Sequence, residues 1–283
     1  MAQEEHIPIL GLKEFQLQEE DHNGFLYHEI HGKRLIEKPH KHDFFLFLLF
    51  QKGSGTHTID FVNHKVARHQ IHLLFPNQVH KWLLGKDTAA YQLMISRNIF
   101  ENLAASLPFS FALYQHHPVI TLSQQLFDTL LYEFHAVKKE MASPSINAAA
   151  IVNLRSRLIA QLISREAQSK FEDMIIYDTN PLLYKFLSLI DTFFFEQKSV
   201  AFYAEQLNIS ANYLNILCKK HLHVPATYLI HNRVTLEAKR LVQATNKSLK
   251  EISFELGFND PAYFSNFFKA QTGVSPRQFR EQL

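Results

Sequence analysis

The chain has 283 residues, 46% apolar and 20% charged, which points to about two folded domains at roughly 150 residues each and excludes an intrinsically disordered chain. With 29 Lys and Arg against 27 Asp and Glu it is nearly neutral, so any nucleic-acid surface must be local. One cysteine, Cys218, excludes a disulfide framework and a cysteine-based zinc module.

Residues 1–10 carry Glu4 and Glu5 and no basic start ahead of an apolar stretch, so they do not read as a signal peptide. Residues 24–94 read as strands. The run 44–50 is short, aromatic and continuously apolar, as in a strand buried on both faces. It is the longest charge-free apolar run and falls far below the roughly 20 residues that span a bilayer. A soluble cytoplasmic protein without a membrane partner is expected. Gly53-Ser54-Gly55 marks a turn, and residues 56–62 partly alternate, with His57, Ile59 and Phe61 to one side. Asn63-His64 reads as the next turn, followed by strands at 71–75, closed by Pro76, and at 91–95. Short strands at this spacing suggest a small sandwich or barrel.

Histidine concentrates here, with 11 of 17 at or before His80, whereas the positive charge lies at the other end of the chain, so the two ends differ in task. His40-Lys41-His42 and Pro76-Asn77-Gln78-Val79-His80 resemble the two motif regions of a cupin barrel. The resemblance implies that two early histidines and a late one converge, joined in metal cupins by a carboxylate shortly after the first pair. Here Leu46-Phe47 occupies that stretch and the nearest acid is Asp43; His69 stands where such barrels usually turn on glycine. Three imidazoles suffice to hold Zn²⁺, which makes His40, His42 and His80 the metal candidates, but without the carboxylate no metal and no cofactor is assigned. His40, His42, Phe45, Phe47, His80 and Trp82 are read as lining a pocket for a small effector.

From about Ser123 the period becomes helical. Leu126, Leu130, Phe134 and Val137 recur at helical spacing, and after Ser143-Pro144-Ser145 so do Ile151, Leu154, Leu158 and Leu162. Two helices on a short loop make an antiparallel hairpin whose apolar faces either pack on the strands or form a dimer seam. Residues 166–179 are mixed and polar and read as a linker.

The last hundred residues contain a duplication. Residues 199–209 align with 248–258 at an offset of 49; after one insertion Tyr213 pairs with Tyr263, Leu214 with Phe264, Leu217 with Phe267 and Lys219 with Lys269. Each copy has helix-turn-helix grammar: Ser199 or Ser248 as N-cap, small Ala204 or Ser253 inside the first helix, Asn208 or Gly257 at the turn, and Ile209 or Phe258 plugging the corner. Ser210 and the Asn259-Asp260 pair cap the second helices, with Pro261 in a first turn. Between the copies, residues 225–242 read as one helix about 27 Å long, a strut that would set two reader helices about one DNA turn apart, ~34 Å.

Residues 257–264, Gly-Phe-Asn-Asp-Pro-Ala-Tyr-Phe, with 267–269, Phe-Phe-Lys, and 273–280, Gly-Val-Ser-Pro-Arg-Gln-Phe-Arg, resemble the signature of AraC-type transcriptional regulators. The match covers about the last 95 residues. In the first copy Cys218 stands where an aromatic is common and His223 where Gly is common. The resemblance implies a bacterial DNA-binding regulator with a sensing first half, a homodimer, and room for a contact with RNA polymerase, not an enzyme. The fold class expected is α+β: a cupin-like barrel over 1–120, a helical hairpin over 121–170 serving dimerisation, a linker over 171–180, and an all-α DNA-binding domain over 181–283. With Leu214, Leu217, Phe264, Phe267 and Phe268 facing the core, Ala211, Asn212, Asn215, Ile216, Lys219 and Lys220 remain for DNA on the first reader helix. Pro261, Ala262, Ser265, Asn266 and Lys269 remain on the second. Asn suits the adenine edge and Ala the thymine methyl. Ser210, Asn259, Arg233, Arg240 and Arg277 are candidate phosphate contacts, and Lys247 and Arg280 add to them or keep the surface soluble. The competing readings are a metal-dependent cupin enzyme with a helical tail and a protein-interaction module.

Overall fold

A computed structural model describes residues 9–10, 24–104, 109–143 and 145–281. They divide into two compact units, one ending at Lys170 and the other beginning at Phe171.

The first unit is built on two five-stranded sheets. One holds, in spatial order, β1 (Ile9–Leu10), β3 (Arg34–His42), β8 (Val79–Leu84), β5 (Gly55–Ile59) and β6 (Val62–Lys65). The other holds β10 (Val119–Thr121), β7 (Gln70–Leu74), β4 (Phe45–Lys52), β9 (Ala89–Ile95) and β2 (Phe25–His31). All pairings are antiparallel except β1 with β3. Alternation along β4 explains its unbroken apolar sequence. Leu46, Leu48 and Phe50 enter the core with Leu26, Ile30, Trp82, Leu84 and Met94. Phe45 and Phe47 point the other way, meeting Phe109, with Phe100 of α1 (Arg97–Ala104) stacked on Phe45 at 4.2 Å. These two phenylalanines therefore do not share an interior with the histidines, contrary to the pocket expected from sequence, because adjacent strand residues face opposite sides.

The turn expected at Asn63-His64 lies earlier. Asp60 and Phe61 both take positive φ, +43° and +72°, which closes a two-residue hairpin and leaves Asn63 and His64 paired in β6 opposite Thr58 and His57. Asp60 is held there by its own carboxylate, which accepts from the Val79 amide and from Gln78 Nε2.

After the short helix α2 (Phe111–Tyr114), α3 (Gln124–Met141) lies on the sheet that contains β2. Phe134 meets Tyr27, His135 meets Tyr91, and Lys138 Nζ is 2.9 Å from Glu29. Its partner α4 (Ala148–Lys170) turns inward Val152, Ser156, Ile159, Ala160, Ile163 and Ala167, with Arg155 of α4 paired to Glu133 of α3 at 2.7 Å. The stripe read from sequence on this helix faces the other way: Leu154 is 66% and Leu158 45% exposed, and Ile151 and Leu162 are half-buried. Small and β-branched residues let α4 approach α3 closely, so the leucines stay outside.

The second unit is helical: α5 (Glu172–Thr179), α6 (Pro181–Phe193), α7 (Val200–Gln206), α8 (Ala211–Leu222), α9 (Ala226–Ala244), α10 (Leu249–Glu255), α11 (Pro261–Thr272) and α12 (Pro276–Arg280). The stretch expected to be a linker is helical, split between the end of α4 and α5, where Met174 is buried. The strut α9 packs against α6, α7, α8, α10, α11 and α12. Among the described residues no helix is long and apolar enough to cross a membrane.

Candidate nucleic-acid interface and barrel interior

Both copies of the repeat fold as helix-turn-helix units with matching corners. Asn208 and Gly257 take φ of +56° and +71°. The Ile209 amide donates to Ala204 O at 3.0 Å and the Phe258 amide to Ser253 O at 2.9 Å. Ala204 and Ser253 are buried, as close approach of a second helix requires. Ser199 and Ser248 cap α7 and α10, the latter in a capping box with Glu251. Ser210 caps α8 and Asp260 caps α11. At the far ends His223 and Gly273 both adopt the left-handed conformation, His223 doing so with a side chain.

Residues 211–220 and 261–270 have the same order of buried, half-buried and exposed positions. Leu214 and Cys218 match Phe264 and Phe268 as the buried pairs. Burial pushes the Cys218 thiol up to about 11, so this cysteine behaves as a small apolar residue. Asn212, Tyr213, Ile216, Lys219 and Lys220 are exposed on α8; Ala262, Tyr263, Asn266 and Lys269 are exposed on α11. Tyr213 and Tyr263 were not among the residues expected at DNA, although their pairing in the repeat put them at one station of both helices.

Four of the expected contacts are half-buried: Ala211, Asn215, Pro261 and Ser265. Asn215 is committed at both ends of its amide, Oδ1 accepting from the Ala226 amide at 3.0 Å and Nδ2 donating to Ala211 O at 3.2 Å. It supplies the acceptor that Pro225, the N-cap of α9, lacks. Ser265 Oγ donates to Pro261 O. Neither side chain is placed as a free reader of base edges.

The arginines also sort themselves. Arg233 pairs with Asp191 at 2.9 Å and with Glu237 at 3.0 Å, and lies 3.8 Å over the Phe194 ring. Arg240 is 1% exposed and 3.1 Å from the same Glu237. Arg280 donates to Val242 O and Lys247 O, tying α12 to the end of the strut. These three are framework, not phosphate contacts, because a guanidinium's five donors suit it to bridging several elements. Arg277, Lys247, Ser210 and Asn259 are exposed, Arg277 beside Glu281 and Lys247 beside Glu255.

In the first unit the strands bring His40, His42 and His80 together, each offering one ring nitrogen within 4.8 Å of the others. The register does this directly: His40 and His42 share a face of β3, and His80 of β8 stands opposite His40. Two histidines the sequence reading did not select extend the cluster. His80 Nδ1 lies 3.0 Å from His57 Nε2, and His57 Nδ1 lies 2.9 Å from His72 Nδ1, a bond that crosses from one sheet to the other. Their signal was present: His57 shares a strand face with Ile59, and His72 stands between Ile71 and Leu73 in a short apolar strand. Trp82 completes the group, 5.4 Å from the rings of both His57 and His80. Asp43, the nearest acid in sequence, is exposed.

Burial holds these rings neutral. The His40 imidazolium is pushed down to about 4 and that of His57 to about 3, chiefly by desolvation; those of His72 and His80 fall well below the usual value for the same reason, reinforced by neighbouring imidazoles.

Residues 22–155 match the AraC-like ligand binding domain and residues 203–282 a helix-turn-helix domain. The HTH-type transcriptional regulator in the cgkA 5' region of Pseudoalteromonas carrageenovora is 26% identical over 157 residues, 54% of this chain and 90% of that protein. The HTH-type transcriptional activator RhaS of Salmonella schwarzengrund is 28% identical over 144 residues, half of each chain, so the match spans only half the length of that relative. Among solved structures, unsaturated fatty acid bound ToxT from Vibrio cholerae aligns over 92% of this chain and 96% of its own, at 16% identity and a TM-score of 0.44. With one match on each of its two units, the chain belongs to the AraC-type family of transcriptional regulators.

Proposed function

We propose that the protein reads double-stranded DNA with both reader helices at once, and that its first unit adjusts that reading in response to a small molecule. The observation that carries this is the shared order of burial on α8 and α11, which turns a tyrosine, a lysine and a variable reading position outward at equivalent stations. The strut contacts both reader helices, and its 19 residues extend about 29 Å, close to the ~34 Å turn of DNA. Asn212 and Asn266 suit the adenine edge and Ala262 the thymine methyl, while Lys219, Lys220 and Lys269 suit phosphates. Ser210, Asn259 and Arg277 are the remaining exposed candidates for the backbone.

Nuclease footprinting on a selected site tests this: each protomer should protect two neighbouring major grooves on one face, and protection of a single half-turn overturns it. Asn266→Ala should relax preference at one base pair by about 1–3 kcal/mol. Lys269→Ala should weaken all sequences alike and flatten the salt dependence. Asn215→Ala serves as the contrast, lowering the stability read by urea titration by about 1 kcal/mol while leaving base preference unchanged.

The outward stripe of α4 is assigned to a second copy of the chain. Leu154 and Leu158 stand one helical turn apart and exposed, beside a groove lined by Phe25, Ile99, Asn153, Leu154 and Arg157. Burying a leucine stabilises by about 1.5–3 kcal/mol, so the double substitution Leu154→Glu and Leu158→Glu should weaken self-association more than tenfold in sedimentation. A monomeric wild-type protein at high concentration refutes the seam. An effector acts in such a dimer only by binding two states of it with different affinity, and a contact with RNA polymerase would convert DNA occupancy into activation.

A further inference from the structure

The interior histidines form a directed chain of hydrogen bonds, and its direction is fixed at one end. The Ala67 amide donates to Gln70 Oε1 at 2.8 Å, so that atom is the amide oxygen and an acceptor. His72 Nε2, 3.2 Å from the same oxygen, must then carry a proton. A neutral imidazole has one N–H and one lone pair, so His72 Nδ1 accepts from His57 Nδ1, His57 Nε2 accepts from His80 Nδ1, and His80 presents a bare Nε2. That lone pair faces His42 Nε2 at 2.7 Å, with His40 beside it and a buried ring nitrogen of His40, Nδ1, lacking a hydrogen-bond partner. An imidazole whose outer N–H is held by a second layer and whose inner nitrogen is bare is the arrangement of a metal-ligating histidine.

We propose that His40, His42 and His80 bind one divalent first-row transition-metal ion of the zinc class inside the barrel, with His57, His72 and Gln70 as the relay that sets the tautomer of His80. Tetrahedral ligands at about 2.0–2.1 Å from zinc lie roughly 3.3 Å apart. His42 and His80 must therefore part slightly, and the widest pair must close by roughly 1.5 Å, which side-chain rotation accommodates. On ion entry the His42–His80 hydrogen bond is lost, His42 keeps its single proton on Nδ1 instead of Nε2, and both Nε2 lone pairs turn to the metal. No proton is consumed. Three neutral donors leave the ion its full charge and one position open, so that position takes water or an anionic oxygen donor. The site stands independently of the DNA-binding reading.

The test uses the full chain, stripped with a chelator and titrated with Zn²⁺ or Co²⁺. The expected result is one equivalent per chain, with Co²⁺ giving the visible bands of a four- or five-coordinate nitrogen site. His80→Ala should abolish binding, and His57→Gln should weaken it about 10–100-fold at unchanged stoichiometry, whereas His64→Ala should leave it intact. Because a core variant can fail to fold, long-range ¹H–¹⁵N spectra of the wild-type histidine rings provide a second readout: Zn²⁺ should convert His42 from the Nε2–H to the Nδ1–H form and leave His57 and His72 in their original tautomers. Absence of stoichiometric binding, binding that survives His80→Ala in a folded variant, or ring spectra unchanged by Zn²⁺ overturns the site.

Discussion

Acidifying the metal-free protein should unfold its barrel unit between about pH 6 and pH 4.5, reported by a shift in the emission of Trp82. The sign follows from where the protons go. A free imidazole binds its proton near pH 6.5, whereas His40, His57, His72 and His80 are kept neutral well below that by burial. In the interval the unfolded chain takes up protons that the folded chain refuses. Stability present above about pH 6.5 is therefore lost as the pH falls toward the folded values, at about 1.4 kcal/mol per pH unit for each ring. All four shifts act in the same direction, so their losses reinforce one another against the ~5–15 kcal/mol of an ordinary domain. Trp82 is the chain's single tryptophan and sits against His57 and His80, so the signal belongs to this unit. The helical unit has no fully buried histidine among its described residues and should keep its helical circular dichroism over the same range. Trp82 emission that is flat down to about pH 4.5 would contradict the burial argument.

Replacing Gly257 with alanine should destabilise the DNA-binding unit by about 3 kcal/mol or more, and with it the grip of the second reader helix. Two costs combine. A φ of +71° disfavours any L side chain by about 1–2 kcal/mol, and a Cβ built there falls 1.9 Å from the Phe195 carbonyl oxygen, a backbone atom that cannot swing aside. Lys198 Nζ donates to that same oxygen and to Leu256 O, so displacing the segment breaks its polar contacts too. Asn208 occupies the equivalent corner of the first copy with a side chain already in place, and Asn208→Ala should cost only about 1 kcal/mol. Urea titration of both variants is the check. Equal losses at the two corners would mean that the Phe195 approach does not restrain Gly257.

The two corners illustrate how much of the DNA-binding unit was legible. Caps, turn residues, small interior residues and corner plugs act over a few residues and follow helical and turn chemistry, so the duplication announced both hairpins and the strut between them. The same spacing put Leu214, Phe264 and Phe268 inside. It failed for Asn215, Arg233 and Arg240, because whether a polar side chain is free depends on partners contributed by other helices: the Ala226 amide for Asn215, Asp191 and Phe194 for Arg233. It also passed over Tyr213 and Tyr263, since tyrosine suits core and surface equally and only their exposure distinguishes the two.

In the barrel, β-strand alternation and Gly-rich turns foretold strands and even placed His57 and Ile59 on one face, yet two neighbouring phenylalanines of β4 were assigned to the wrong side. Periodicity reports that a strand has two faces without saying which is interior when both are apolar. Likewise on α4 the larger side chains suggested the packed stripe, while the smaller ones made it, since helix separation is set by what fits between two surfaces rather than by hydrophobicity along one of them. Element type, the repeat and the gross division of labour thus follow from local chemistry, which neighbouring residues carry with them. The meeting of His57 with His72 across two sheets, and of Arg233 with Asp191 across two helices, arises from register and long-range docking that no short window of residues contains.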